Sequence, residues 1–323
     1  MKVTVILCTY NRSASLAKAL ESLAAMKVPA EVDWRVLVVD NNSKDDTRQV
    51  VESFCRREPG HFAYLFEPKQ GKSNALNSGI AQAEGEILAF TDDDLTVEPD
   101  WLDQLTKPFS DPQWAGTGGR VLLEQSFHPP AWLGLSGPSS IGGILAYFDP
   151  GNEPRAFDVP PVGANMAYRR EMFSKYGGFR TDLGPCPGRA VRYEDTEFGS
   201  RLLKGGDRIR YVPTAVVRHE VRPERVRQEY FLNYFYGYGR AVIREREKSP
   251  AVWFIPGSVV SLGNRLLNLL PKRISWWLRE SDERKRFHNK CYVWMTAGEI
   301  VELCSFSEKP GTDSWKPEPV KPS

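Results

Sequence analysis

Cysteine is sparse and unpatterned in this 323-residue chain: Cys8, Cys55, Cys186, Cys291 and Cys304 are odd in number, far apart and never spaced C-x-x-C. A disulfide framework and a cysteine zinc site are therefore not expected, and a reducing cytoplasm is the default compartment. Charge of one sign is also lacking. A net charge of +2 gives no support for nucleic-acid binding. No run of 18 apolar residues occurs, so a membrane-spanning helix is not expected. Strand-like sequence begins almost at once, without the pattern of a signal peptide. Two phosphate-binding loops are missing too. Gly71-Lys72-Ser73 ends like a P-loop, but Phe66 stands where its first glycine belongs. No Gly-x-Gly-x-x-Gly follows the first strand, which argues against a dinucleotide oxidoreductase. There is no internal repeat.

What is present is an ordinary hydrophobic fraction of 41%, in a length that allows one large domain or two smaller ones. Short apolar runs at residues 3–8, 34–39, 62–66 and 86–90 read as buried strands. Between them, helical spacing begins at Ser13 (Leu16, Ala19, Leu20, Leu23), and helices are expected at 45–57 and within 71–83. This β-α-β-α-β-α-β alternation predicts an α/β fold with a mostly parallel sheet and helices on both faces. A helix at 101–109 and strands at 119–123 and 211–217 follow, with a strand entering a short helix from residue 163 and another helix opening at 193–199. Residues 126–158, rich in Gly, Pro, Ser and aromatics, fit either a lid or a surface excursion with a small satellite core. From residue 223 the chain turns charged and aromatic. Residues 252–278 set Trp253, Trp276, Trp277 and many Leu among Arg and Lys, which suits a membrane interface or packing on the rest of the molecule.

The run 87–91 ends abruptly in Asp92-Asp93-Asp94. Three adjacent carboxylates repel one another and are costly to bury without a cation. Open α/β sheets bind ligands at the carboxyl ends of their strands, and oxygen donors there suit Mg²⁺ or Mn²⁺. A solvated acidic turn explains the same residues. Polar clusters also follow the first two strands, at residues 9–12 and 40–43. Asp40 fits a nucleotide contact or a turn, Lys72 a phosphate contact or a surface charge, and Asn77 a contact or a mid-helix polar group. Capping accounts for one acid among Glu194, Asp195 and Glu197, whereas a second acidic cluster is what general-base chemistry requires. His219 follows a strand as the acids do and fits a metal ligand or a structural histidine.

Taken in order, Cys8-Thr9-Tyr10-Asn11-Arg12, Val38-Val39-Asp40-Asn41-Asn42-Ser43, residues 71–79, Phe90-Thr91-Asp92-Asp93-Asp94, residues 163–170 and Glu194-Asp195 resemble the family 2 glycosyltransferases of GT-A fold, over roughly residues 1–220. The resemblance implies a catalytic domain at 1–222; the charged and aromatic sequence beyond it reads as a helical extension at 223–309, and the Pro-, Lys- and Glu-rich end as a disordered tail at 310–323. The resemblance also implies that Thr9, Tyr10, Asn11, Arg12, Asp40, Lys72, Asn77, Asp92 and Asp93 meet the nucleotide-sugar. Gly163, Ala164, Asn165 and Glu194 would lie near donor or acceptor sugar. Asp94, Asp92 and His219 would hold Mn²⁺ or Mg²⁺, and Asp195 would be the base. The implied reaction is inverting transfer from a UDP- or GDP-sugar to a glycan or lipid-linked acceptor, without nucleic acid. Peripheral membrane contact and self-association are compatible with it. A sugar-nucleotide nucleotidyltransferase would carry a Gly-rich N-terminal phosphate loop, absent here, and a non-catalytic nucleotide-sugar-binding protein would not need both sets of acids.

Overall fold

The computed structural model describes residues 1–187, 192–247 and 262–305. The expected disordered tail and the aromatic residues Trp253 and Phe254 lie outside the described residues. The first half of the chain follows the predicted alternation: β1 (Lys2–Thr9), α1 (Ser13–Ala24), β2 (Asp33–Asp40), α2 (Thr47–Arg57), β3 (Phe62–Phe66), α3 (Lys72–Gln82) and β4 (Ile87–Asp92). Side-chain parity along each strand sorts the core into two layers. Val3, Val5 and Leu7 of β1 pack under α1 and α2, with Val51 and Phe54. Ile6 packs on the opposite face with Ala75, Leu76 and Ile80 of α3.

β5 (Leu95–Val97), α4 (Trp101–Thr106), β6 (Trp114–Leu123), β7 (Arg155–Ala156), β8 (Asn165–Arg169), α5 (Glu171–Tyr176), α6 (Glu194–Lys204) and β9 (Arg208–His219) complete the sheet and its cover. Among the described residues the strand order is β3-β2-β1-β4-β8-β6-β9-β5, with β7 on β9. The four N-terminal strands run parallel, as right-handed helical crossovers require. Beyond β4 the sheet is mixed: β8 lies antiparallel to both β4 and β6, and β5 and β7 antiparallel to β9. The half built by β-α-β units is thus wholly parallel as predicted, and in the other half only β6 and β9, among the described strands, pair parallel.

The extension is helical: α7 (Gln228–Glu247), a π-helical turn at Arg265–Leu269, α8 (Leu270–Arg279) and α9 (Glu283–Ser305). Loop 126–158 packs beneath it. Leu133, Ile141, Ile144 and Leu145 share a satellite core with Phe231, Leu232, Phe287 and Cys291, and Trp132 meets Phe231 and Phe287 edge-on at 5.1 and 4.7 Å. α7 and α9 touch backbone to backbone. A Cβ on Gly239 would fall 2.1 Å from the Met295 carbonyl, and one on Gly298 would fall 2.1 Å from that of Tyr236. Among the described residues no helix is long and apolar enough to cross a membrane.

Candidate active site

In-register parallel pairing sets Thr9 beside Asp40 and Cys8 beside Asp92, so the three polar clusters emerge at one edge of the sheet. A cavity of about 670 Å³ opens there. Of the residues singled out in the sequence, Thr9, Tyr10, Arg12, Lys72, Asp92, Asp93, Asp94, Ala164, Glu194, Asp195 and His219 line it.

The other five residues expected to contact nucleotide or sugar do not line it. The Asn11 side chain accepts from the Lys44 N–H at 2.7 Å, tying the β1 loop to the β2 loop. Asp40 accepts from Tyr64 Oη and the Ser43 N–H, both at 2.8 Å. The Asn77 amide bridges both backbone groups of Phe179 at 2.8 Å. Asn165 is fully buried: its oxygen accepts from Trp101 Nε1 and its nitrogen donates to the Arg120 and Ala215 carbonyls, each at 2.9 Å. Its side-chain polar atoms are thus spent joining strands and do not face the cavity. Gly163 acts through its backbone, as described below.

The three acids differ sharply. Asp92 receives Lys72 Nζ at 2.6 Å. Asp93 is buried and accepts from Thr9 Oγ1 at 2.8 Å and Arg12 Nη1 at 2.7 Å. Burial pushes its carboxyl up, Arg12 works against this, and the adjacent Asp94 adds to it. Burial would raise Asp94 as well, but the positive charges of Arg225 and Arg12 outweigh it and hold that carboxyl well below the usual range. Burial would lower the Lys72 ammonium, yet Asp92, Glu194 and Asp195 prevail and raise it, so it stays charged.

Asp195 and Glu194 open α6, where the helix N-terminus favours negative charge. One Asp195 oxygen accepts the Gly163 N–H at 2.8 Å and the other the Thr196 N–H at 2.7 Å. Any Cβ at position 163 would sit 2.5 Å from that carboxylate, so glycine is required there. Glu194 is buried, 3.9 Å from Lys72. Burial and the neighbouring Asp195 charge push its carboxyl up to about 7. Tyr193, just before, holds a φ of 99°, a left-handed conformation that costs a bulky residue ~1–3 kcal/mol.

The sequence reading missed the wall that the extension provides. Tyr230, Tyr234 and Tyr238 of α7 line the cavity, with Arg192, Tyr193, Arg225 and, from loop 126–158, Gly143, Ile144 and Ala146. The tyrosines recur every fourth residue, which puts them on one helical face and was the available signal. Arg192 lies over the Tyr234 ring at 5.1 Å, and Tyr193 meets Tyr238 at 5.6 Å. Loop 126–158 is accordingly both a satellite core and a piece of the cavity wall.

Among the described residues no three His, Cys, Asp or Glu side chains converge on one point. Asp94 and His219 form a pair, Oδ2 to Nε2 3.6 Å, both almost wholly buried. One carboxylate and one imidazole fit a six-coordinate divalent cation that keeps positions open for phosphate oxygens and water.

The model of glycosyl transferase family 2 matches residues 4–177, and that of glycosyl transferase family group 2 matches residues 154–280. The succinoglycan biosynthesis protein ExoM of Rhizobium meliloti is 32% identical over 225 residues, 69% of this chain and 68% of that one. A glucosyl-dolichyl phosphate glucuronosyltransferase of Haloferax volcanii is 26% identical over 251 residues, 75% of this chain and 77% of its own. Among solved structures, a mannosyltransferase of Pyrobaculum calidifontis in complex with GDP-Man and Mn²⁺ superposes with a TM-score of 0.55 at 19% identity, covering 96% of this chain and 76% of that one. Residues 1–349 of TarS from S. aureus, in complex with UDP, superpose at 0.51 and 18% identity, covering 95% and 91%.

Proposed function

Because the chain belongs to glycosyl transferase family 2 and has its GT-A fold, we propose that it moves a sugar from a nucleoside-diphosphate donor to an acceptor hydroxyl with inversion at the anomeric carbon. The supporting observation is that Asp195, at the head of α6, shares one cavity with Thr9, Arg12, Lys72 and Asp92-Asp93-Asp94. Asp195 is half-buried and oriented by two backbone N–H groups. It takes the proton of the acceptor hydroxyl while that oxygen bonds to the anomeric carbon, and the bond from that carbon to the diphosphate breaks on the opposite face. Arg12 and Lys72 present fixed positive charge to the departing diphosphate. A divalent cation on Asp94 and His219, with Asp92 nearby, would neutralise the same charge. Mn²⁺ in the Pyrobaculum complex supports metal use.

The donor nucleotide is UDP or GDP, as the nucleotides of the two structural relatives suggest. The roles of ExoM in succinoglycan synthesis and of the Haloferax enzyme on a dolichyl phosphate support a polysaccharide or lipid-linked acceptor, met at the inner face of the membrane. Calorimetry with UDP and GDP, with and without Mn²⁺, identifies the base. With the matching donor, Asp195→Asn should lower transfer ~10²- to 10⁴-fold while leaving nucleotide affinity unchanged, whereas Asp94→Ala should damage both. Equal damage to nucleotide binding by the two substitutions would remove Asp195 from the role of base.

A further inference from the structure

We propose that Arg225 is a placeholder for the divalent cation. Its guanidinium occupies the two atoms that would ligate the metal, and the metal enters only as Arg225 leaves. This rests on the preceding assignment of Asp94 and His219 for the identity of the site, but its main test needs neither donor nor acceptor.

Arg225 stands on the single 3₁₀ turn Pro223–Val226, between the end of β9 at His219 and the start of α7. Its Nη2 lies 2.9 Å from Asp94 Oδ2 and its Nη1 lies 2.9 Å from His219 Nε2. One guanidinium therefore spans the carboxylate and the imidazole. The chemistry of the histidine is fixed by its other partner. His219 Nδ1 is 2.7 Å from the Leu145 carbonyl, which can only accept, so Nδ1 carries hydrogen. An arginine can only donate, so Nε2 offers it a lone pair. That lone pair is the one a metal would need.

Oδ2 and Nε2, 3.6 Å apart, can both reach one cation at ~2.1 Å. A metal there and the Arg225 guanidinium on the same two lone pairs are mutually exclusive. Arg12 also touches Asp94 Oδ2, at 3.1 Å, but it is anchored by its shorter bond to Asp93 at 2.7 Å. Arg225 is the exchangeable member, since its turn is a connector and both its bonds go to the pair. Without it, Asp94 would be a buried carboxylate with half its neutralisation gone. With it, metal alone must compete against a resident cation. A diphosphate arriving with the metal supplies anionic oxygens to receive the displaced guanidinium, so metal and nucleotide should bind with positive coupling carried by Arg225.

The test is Mn²⁺ binding to the full chain, followed by electron paramagnetic resonance without nucleotide, for wild type, Arg225→Gln, Arg225→Lys and His219→Gln. Arg225→Gln should bind Mn²⁺ about tenfold or more tightly than wild type, and spin-echo spectra of its bound Mn²⁺ should show imidazole nitrogen coupling. Arg225→Lys, which keeps the charge but cannot span both atoms, should fall between, and guards against local collapse in the glutamine variant. His219→Gln should abolish the nitrogen coupling. Mn²⁺ affinity in both Arg225 variants equal to or below that of wild type, including no binding by any of them, overturns the proposal. So does tighter binding without imidazole coupling, which would reflect loss of a positive charge alone. Repeating the titration with UDP and GDP should show a smaller gain in Arg225→Gln than in wild type. If neither nucleotide binds, the proposed function falls while the metal comparison still decides the part played by Arg225.

Discussion

At the scale of single residues, two adjacent carboxylates have been given different surroundings. Asp195 keeps two backbone donors on a half-buried carboxylate, while Glu194 is buried against Lys72 with its carboxyl pushed up to about 7. An acid whose folded pKa lies above its unfolded value near 4.5 binds more protons folded than unfolded between those limits. Its contribution to stability is therefore greatest at low pH, and falls as pH rises from about 4.5 to about 7 before levelling off. Glu194→Gln removes this decline. The difference in Tm between variant and wild type should grow over that window and stay flat above it, which thermal scans from pH 4 to pH 9 would measure. The acids at 92–94 were legible because three adjacent carboxylates after a buried strand are costly to bury without a cation. Which polar motif residues face the ligand was not legible. Asp40, Asn77 and Asn165 sit within motifs and spend their polar atoms on backbone, tyrosine or tryptophan partners, many from distant parts of the chain.

Among the elements, one side chain ties β8 to three of its neighbours, beyond its backbone pairing to β4 and β6. Asn165 joins it to β6 through the Arg120 carbonyl, to β9 through the Ala215 carbonyl and to α4 through Trp101. Asn165→Ala leaves a buried indole N–H and two buried carbonyls short of a partner, and should cost ~2–4 kcal/mol in urea unfolding. Loss of nucleotide affinity well before loss of stability would show instead that Asn165 serves the cavity. The β-α units of the first half could be read from hydrophobic period alone, since each strand and helix repeats its own spacing. The mixed half could not. Its strands pair across separations that no local pattern encodes, and β6 meets β9 through a register shift at Gly119 and Arg120. The tyrosines of α7 were visible as a row but not as a wall, because a helical face can be assigned to core or cavity only once its neighbour is known.

For the whole molecule, the surface of the extension is uneven. Leu267, Leu278 and Trp276 are 78%, 64% and 53% exposed beside the basic Lys272 and Arg279, and no residue of α8 is buried. Such a face fits the headgroup region of an anionic bilayer. The full chain should float with vesicles containing anionic lipid and be retained less by neutral ones, and Leu267→Glu with Trp276→Glu should abolish flotation. No flotation with either lipid would leave that face to protein contacts. The close crossing of α7 and α9 has a different bearing. With carbonyls standing where a methyl group would go at both Gly239 and Gly298, the two helices cannot slide or roll against each other without collision. The tyrosine row is thereby indexed to α9, and α9 through Phe287 to loop 126–158. Under the proposed function, the wall that α7 turns toward an acceptor is held in place from the opposite side of that helix, so selectivity should drift through substitutions at the α7–α9 crossing that touch no acceptor.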